Sequence, residues 1–318
     1  MQHTFKSHRR GTWTRLSRGA ALTAALLALA ASAAEAKTFK EMFPGNEVKN
    51  EKALQLLEPM NFQQGEVKVG AGGVTLDVPA KYYFLGPADA RRVLVDVWGN
   101  PPGNASGVLG MILPSTKMPI EDTWGAIVRF DADGYVSDED AKKIDYTDLL
   151  KTMQDDIANS NDERVKAGYG SIKLVGWASQ PFYDEKTKKL HWAKELEFDG
   201  KADHHTLNYD VRALGRGGVL KINFVAGMGD LPVIRALIPD VMEMAQFEQG
   251  ARYSDYVPGV DKVAAYGIGG LIAGKLLAKA GILAGALLLF KKLGVFIVIG
   301  VGAALRGLVG IFRRKGRE

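Results

Sequence analysis

The two ends of this chain are apolar and basic, and they enclose a long segment with the composition of a water-soluble domain. Near the start, a basic stretch precedes the apolar run 19–31, and small residues follow at Ala34 and Ala36. This order of features is that of a secretory signal. An apolar run of about thirteen residues is also too short to cross roughly 30 Å of hydrocarbon as a retained helix. We therefore predict that residues 1–36 are a signal peptide that is cleaved after Ala36.

The second apolar end comprises residues 293–312, in which Arg306 is the single charged residue. Twenty helical residues rise about 30 Å, which is the thickness of a bilayer core. The residues that follow are rich in Arg and Lys, and such tails stay on the cytoplasmic side of a membrane. We therefore predict a transmembrane helix over 293–312 and a basic cytoplasmic tail over 313–318. The domain over 37–260 then lies in the periplasm, held at the inner membrane.

Residues 261–292 form a Gly-rich segment between the domain and the predicted span. Residues 263–290 are apolar but are interrupted by Lys275 and Lys279, and their glycines are spaced so that two helices could approach closely. Three interpretations remain: a helix lying on the membrane surface, the first span of a hairpin, or a helix packed against a partner. We favour the membrane-proximal surface helix. The expected partners are membrane lipid and, through 263–290, a membrane protein or a second copy of the chain.

Charge and cysteine content exclude several classes of protein. The whole chain has a net charge of +5, but residues 37–260 contain 26 basic and 33 acidic residues, so the excess of positive charge belongs to the ends. Nucleic-acid binding requires a basic face on the folded part, so no nucleic acid is expected as a partner. The chain contains no cysteine, which excludes disulfides, thiolate metal ligands and thiol nucleophiles.

The middle segment alternates strand patterns with helical ones. Runs of alternating apolar and polar residues, separated by Gly, Pro and Asp, predict strands. They lie at 66–69, 73–78, 81–85, 108–113, 124–130, 172–177, 190–198, 206–214 and 219–225. The last four are joined by short turns, which force neighbouring strands to be antiparallel.

Helical periodicity predicts helices at 38–57, 87–98, 146–166 and 231–247. Ser137 followed by Asp140 is typical of a capped helix start, so we expect another helix there. An antiparallel sheet with flanking helices places the domain in the α+β class, with the C-terminal transmembrane helix added to it.

The residue patterns of common catalytic and metal sites are missing from the sequence. His204 and His205 are adjacent, so on a strand they would point to opposite faces, and His191 lies at the end of the predicted strand 190–198 that is far from them. The acidic residues after Asp131 lack the spacing of a calcium loop. There is no Gly-x-Ser-x-Gly elbow, and no glycine-rich loop is followed by the Lys of a phosphate-binding loop. We predict no metal and no cofactor.

Aromatic and polar residues of the predicted four-stranded meander are the candidates for a functional surface. Trp177 precedes Tyr183 near a hairpin, where large rings commonly contact partners or glycans, although core packing is the more frequent role of such rings. The candidate surface comprises Trp177, Tyr183, Trp192, Lys194, Glu195, Asn208, Tyr209 and Arg212.

Several strings in the chain are distinctive. They include Trp124-Gly125, Arg129-Phe130-Asp131, Gly134-Tyr135-Val136-Ser137-Asp138-Glu139-Asp140-Ala141, Gly176-Trp177, Tyr183-Asp184, His191-Trp192-Ala193-Lys194-Glu195-Leu196, Leu207-Asn208-Tyr209-Asp210-Val211-Arg212 and Asp261-Lys262-Val263-Ala264-Ala265-Tyr266-Gly267. On these strings, most of residues 37–312 resembles a bacterial family labelled "uncharacterised membrane-anchored protein" (domain of unknown function 2167). The resemblance implies an exported, membrane-anchored protein of Gram-negative type and supplies no catalytic residues.

Two functional hypotheses follow. The first, which we prefer, is a non-enzymatic, membrane-anchored periplasmic module for binding or envelope stress. The alternative is a membrane-tethered hydrolase or other enzyme whose site assembles from distant residues. Lys194, Glu195, Asn208, Tyr209 and Arg212 are candidates for that site, and convergence of several of them in one deep pocket would favour the enzyme.

Overall fold

The computed structural model describes residues 35–201 and 205–274. The predicted transmembrane helix 293–312 and the tail 313–318 lie outside the described residues, as do His204 and most of the predicted signal peptide. Within the described ranges, every helix is too short or too polar to cross a bilayer.

The described part of the domain is built on one long sheet whose neighbouring strands run antiparallel. The strands are β1 Glu35–Lys37, β2 Phe62–Lys68, β3 Val74–Val78, β4 Tyr82–Leu85, β5 Val108–Pro114, β6 Gly125–Asp131, β7 Ile172–Asp184, β8 Lys189–Phe198, β9 His205–Leu214, β10 Val219–Gly227 and β11 Ala245–Phe247. Their order is β11-β3-β2-β4-β5-β6-β10-β9-β8-β7, with β1 paired to β2. The predicted α+β class and the predicted meander of the last four long strands are therefore confirmed.

Helices cover parts of both faces of this sheet. They are α1 Phe39–Met42, α2 Glu51–Leu57, α3 Pro87–Arg92, α4 Tyr146–Lys166, α5 Leu231–Met244 and α6 Ile268–Ala273, and α3 continues as a π-helical turn over Val93–Val97. The longest, α4, has the predicted bounds. Its start is fixed by Asp145, whose side chain accepts hydrogen bonds from the N–H groups of Thr147 and Asp148, and Gly168 with φ 82° ends it.

Three apolar clusters hold the helices on the sheet. On one face, α5 packs over the central strands through Ile234 and Val241. On the other face, α1, α2 and α3 cover the β2–β4–β5 end, and α4 with α6 covers the β7–β8–β9 end through Met153 and Ile272. The middle of this second face is left between two helical layers, and that gap positions the site described below.

Three helix predictions were wrong in part. Residues 38–57 form two helices, because Pro44 and Gly45, with φ 83°, interrupt the pattern. Residues 245–247 form β11 and not the end of α5, because they pair with the free edge of β3. Ser137 does not begin a capped helix; only the short 3-10 turn Ala141–Lys143 follows, and the Asp140 carboxylate is used elsewhere.

Residues 261–274, here called the strap, fold back onto the domain. The guanidinium of Arg216 makes a bidentate ion pair with Asp261 at 2.7 and 2.8 Å. Val263 forms a parallel bridge with Tyr135, and the Tyr266 hydroxyl donates to Asp133. The described part of the predicted helix 261–292 is thus extended up to Gly267 and becomes helical only at α6.

Candidate functional site

One face of β9 is polar although the strand lies in the interior of the sheet. Leu207, Tyr209 and Val211 point to the apolar cluster under α5, so the residues that alternate with them face the other way. Those residues are Asn208, Asp210 and Arg212. A strand with a helix on each side would normally be apolar on both faces, so this polar face requires explanation.

The neighbouring strands extend the polar face on both sides. Lys194 on β8 lies directly across from Asn208, and Lys221 on β10 lies across from Arg212. Arg129 on β6 lies in turn across from Lys221. Asn223 and Asp131 complete the set. We call these eight residues, together with the space above them, the cationic cleft, because they include two arginines and two lysines but only two carboxylates.

Helices form the walls of the cationic cleft. The α4 side contributes Met153, Ile157 and the exposed carboxylates Asp156 and Glu163. The opposite wall is the π-helical turn after α3, with Leu94 and Trp98, and the strap closes one end with Tyr266 and residues 270–274. The space consists of two adjoining cavities of about 1030 and 760 Å³. Each is large enough for a small organic ligand.

Asp210 lies at the centre of the cleft floor, with a side chain only 4% exposed. Its Oδ1 accepts from Arg212 at 2.8 Å and from Asn223 at 3.1 Å, and its Oδ2 lies 3.0 Å from Lys194 Nζ. Burial alone would raise the pKa of Asp210, but the charges of Lys194 and Arg212 outweigh burial and lower it. Asp210 is therefore an anion that holds two cations in place.

The remaining cations are crowded. Burial lowers the pKa of Lys221, and the charge of Arg212 lowers it further, although Asp131 at 3.0 Å opposes both effects. Burial and the charge of Arg212 also lower the pKa of Arg129. Like charges are therefore held close together on a floor where water screens them poorly.

Four of the eight predicted site residues lie at this cleft. Lys194, Arg212 and Trp192 line the larger cavity, and Asn208 lines the smaller one. The guanidinium of Arg212 lies 4.9 Å from the centre of the Trp192 ring, which is a cation–π contact. Trp192 is fully buried, so it positions Arg212 and is not itself a surface for a partner.

Two predicted residues, Glu195 and Tyr209, lie on the opposite face of the sheet. Glu195 Oε1 is 2.5 Å from His205 Nδ1, and the Tyr209 hydroxyl is 3.1 Å from His191 Nδ1. Among residues 35–201 and 205–274, His, Asp and Glu side chains form no group of three able to hold a metal ion.

The last two predicted residues, Trp177 and Tyr183, lie on β7 outside the cleft. Trp177 donates its Nε1–H to the carbonyl of Tyr146 at 3.1 Å and packs beside α4. The Tyr183 hydroxyl donates to Asp138 at 2.6 Å. Lys188 and Tyr253 bind the same carboxylate, so Tyr183 belongs to a network that joins the loop before α4 to the segment leading into the strap.

Sequence reasoning missed Arg129, Asp131, Asp210, Lys221 and Asn223. A signal was present in the alternation of polar and apolar residues. Lys221 and Asn223 are spaced two apart on the predicted strand 219–225, and Asp210 alternates with Asn208 and Arg212 on 206–214. Arg129 lies on 124–130, and Asp131 directly follows that strand. Only the strand order, however, puts β6, β10, β9 and β8 side by side.

Comparison with known proteins gives a family but no activity. The family model described as "Protein of unknown function (DUF2167)" matches residues 61–302. The chain belongs to this family. The match contains β2 to β11 and the strap, so the cationic cleft lies wholly within the family region. The predicted membership is confirmed.

No curated protein matches the chain. Among solved structures, the chain is similar to the solution structure of cyanobacterial PsbP (CyanoP) from Synechocystis sp. PCC 6803. The two share 10% identity at a TM-score of 0.32, over 57% of this chain and 91% of that chain. A similarity this weak transfers no property to the DUF2167 domain.

Proposed function

We propose that the DUF2167 domain is the periplasmic part of a membrane-anchored binding protein and that it holds an anionic group in the cationic cleft. The observation that carries this proposal is the floor of the cleft, where, within the described part of the chain, the four cations of Arg129, Lys194, Arg212 and Lys221 face the two carboxylates of Asp131 and Asp210. Cations gathered on a partly buried floor repel one another, and a bound anion removes that cost.

The geometry suits a phosphate-type group. Lys194 and Lys221 are 22% and 27% exposed, so both remain reachable from the cleft. Two guanidinium groups next to two ammonium groups form the donor set that proteins use for planar or tetrahedral oxyanions. The carboxylates of Asp156 and Glu163 stand on the α4 wall in contact with water, where their repulsion of an anion is screened.

Binding is favoured over catalysis by the kind of side chain that reaches the cleft from the five candidates of the enzymatic hypothesis. Lys194, Asn208 and Arg212 converge on the cleft, whereas Glu195 and Tyr209 lie beneath the sheet. The enzymatic alternative expected several of these residues to converge in one deep pocket; Lys194 and Arg212 share the larger cavity, and Asn208 lines the adjoining one. The cleft instead offers fixed cations and amides, which bind and orient a ligand.

The membrane location of this module is supported by the composition of the two ends. A reporter fused after Glu318 should be active only in the cytoplasm, and the mature protein should begin at Lys37. Activity of the fusion outside the cytoplasm would contradict the single span. β1 includes Glu35 and Ala36, so cleavage after Ala36 would shorten this strand to one residue.

The proposed contact of residues 263–290 with lipid or with a membrane partner needs a carefully placed deletion. Ile268 and Ile272 of the strap are buried in the domain, so removing the whole segment would damage the fold. Deletion of residues 275–290 leaves the strap intact. Loss of a co-purified membrane protein or of self-association in this variant would support the contact, and retention of both would contradict it.

Anion binding can be tested by titrating inorganic phosphate into the full-length protein in detergent. The heat of binding is measured by calorimetry, and the melting temperature is measured in parallel. Phosphate should raise the melting temperature, since a ligand that binds only the folded state stabilises it. Lys221→Gln should weaken phosphate binding about tenfold, because a hydrogen bond to a charged group contributes about 1.5–3 kcal/mol. Lys52→Gln, on exposed α2 outside the cleft, is the matched control and should leave binding unchanged. Equal affinity in both variants would overturn the proposal.

A further inference from the structure

The two halves of the cationic cleft differ in chemistry. The larger cavity carries the charged floor, with Lys194, Arg212 and Lys221. The smaller cavity, here called the amide half, has a mixed lining in which four amides and three aromatic rings stand among five aliphatic side chains, with Arg129, Arg164 and Asp199 as its charged residues. Its amides are Asn100, Asn104, Asn208 and Asn223, and its rings include Trp98 and Tyr169.

Asn208 is the central residue of the amide half. Its side chain is half-buried and, within the described part of the chain, makes no hydrogen bond to another protein group. The neighbouring Asn223 donates through Nδ2 to Asp210 Oδ1 at 3.1 Å, which leaves its own Oδ1 as an acceptor. A carboxamide both donates and accepts, as does a hydroxyl group, so these side chains complement a ligand rich in hydroxyls.

The aromatic rings provide flat apolar surface beside these amides. Trp98 is half-buried at the end of the π-helical turn, and Tyr169 follows the end of α4 with Arg164 5.7 Å from its ring centre. A ring of this kind buries apolar area at one face while leaving polar groups nearby free to bind. Sugars combine an apolar ring face with hydroxyls at the edge, which is the same combination.

The two halves are close enough to serve one ligand. Asn208 of the amide half lies directly across from Lys194 of the charged half, and Arg129 lies directly across from Lys221. Side chains paired in this way have Cβ atoms about 5 Å apart. We infer that the cleft takes an anionic saccharide, in which a phosphate-type group lies on the cations and a polyhydroxylated ring lies in the amide half.

Other ligand classes fit less well. A neutral sugar would leave the four cations balanced only in part, by Asp131 and Asp210, and an alkyl chain would leave the amide of Asn208 without a hydrogen-bond partner. The inference rests on the proposed anion binding and adds to it the class of the ligand. A free saccharide and a lipid headgroup would make the same two contacts, one between the phosphate-type group and the cations and one between the ring and the amide half.

The test compares three probes on the full-length protein in detergent: inorganic phosphate, glucose 1-phosphate and cyclohexyl phosphate. Cyclohexyl phosphate has the same charge and a ring of similar size without hydroxyls. Glucose 1-phosphate should bind at least about fivefold more tightly than cyclohexyl phosphate, because each added hydrogen bond contributes about 0.5–1.5 kcal/mol. Asn208→Leu should bring the ratio of the two affinities close to one, and this ratio is the readout because both probes carry the same phosphate group. Asn46→Leu, at an exposed position outside the cleft, is the matched control.

The outcomes separate the two proposals. If none of the three probes binds, the proposed anion site is wrong, and this inference fails with it. If phosphate binds but glucose 1-phosphate and cyclohexyl phosphate bind equally, the anion site stands and the saccharide inference is overturned. The saccharide inference is also overturned if Asn208→Leu and Asn46→Leu have equal effects. Vesicles that carry a lipid with a glucose 1-phosphate headgroup distinguish the two sources of the saccharide. If the vesicles compete with soluble glucose 1-phosphate, the cleft accepts a lipid headgroup; if they do not, the ligand is the free sugar.

Discussion

The carboxylate of Asp140 accepts a hydrogen bond from the backbone N–H of Ile268 at 2.8 Å, across 128 residues of chain. Its second oxygen accepts from the N–H of Gly269 at 3.0 Å. Asp140 therefore acts as a cap for α6 from a distant loop, in place of the local cap that the sequence suggested. This contact holds the strap against the end of the cationic cleft.

Asp140→Ala should release the strap. Loss of a side chain that caps a helix costs about 0.5–2 kcal/mol, and here it also frees the segment that carries buried Ile268 and Ile272. We expect faster proteolytic cleavage within 261–274 and a lower free energy of unfolding in urea. Asp155→Ala, which removes an exposed carboxylate 3.3 Å from Lys151 on α4, serves as the control and should change neither measurement by much. Equal cleavage rates would show that Asp140 does not hold the strap.

Gly134→Ala should loosen the strap from the other side. Gly134 has φ 104°, and an added Cβ would lie 2.4 Å from the carbonyl oxygen of Lys262. Gly168 has φ 82° but nothing near its added Cβ, so Gly168→Ala carries the backbone strain without the collision. Backbone strain costs roughly 1 kcal/mol in either variant. A larger loss in Gly134→Ala, measured by urea unfolding, isolates the contact with the strap, and identical losses would argue against it.

Asp210→Asn should destabilise the domain in a pH-dependent manner. It leaves Lys194 and Arg212 without their buried partner, which costs about 3 kcal/mol or more at pH 7. The pKa of Asp210 is lowered in the folded protein, so the stabilisation is complete above the unfolded value of about 3.9 and is lost as the pH falls through the folded value. The difference between the wild type and the variant should therefore shrink from pH 5 to pH 2.

Urea unfolding at pH 7, 5, 3 and 2 measures this difference. Asp77→Asn, at an exposed position of β3, is the carboxylate control and should lower the free energy of unfolding at pH 7 far less than Asp210→Asn does. A constant difference between the wild type and Asp210→Asn across the range would mean that Asp210 is not a charged partner of Lys194 and Arg212.

Trp177→Phe should lower stability without affecting phosphate binding. The indole N–H to Tyr146 carbonyl hydrogen bond is lost, which costs about 1 kcal/mol, while the ring still packs beside α4. Calorimetric titration with phosphate alongside thermal unfolding separates the two effects. Weakened phosphate binding together with an unchanged melting temperature would restore Trp177 to the functional surface.

The fold is largely predictable where local patterns are strong. The bounds of α4 follow from a good cap and a long apolar stripe, and the four strands from β7 to β10 follow from alternation with short turns. The helical prediction for residues 245–247 is wrong, because the pairing of β11 with β3 is a long-range contact with no local signature. The capped helix at Ser137 failed for the same reason, since the carboxylate of Asp140 finds its partners in the strap.

By itself, the sequence determined the class of the domain, the apolar and basic composition of the two ends, and the polar residues that alternate with apolar ones along each strand. These depend on periodicity and composition, which neighbouring residues express without the rest of the chain. Only the tertiary structure decided that Arg129, Lys194, Arg212 and Lys221 share one cleft and that Glu195 and Tyr209 do not. The reason is that strand order and register, which depend on packing across the whole sheet, select the face and the neighbours of every side chain.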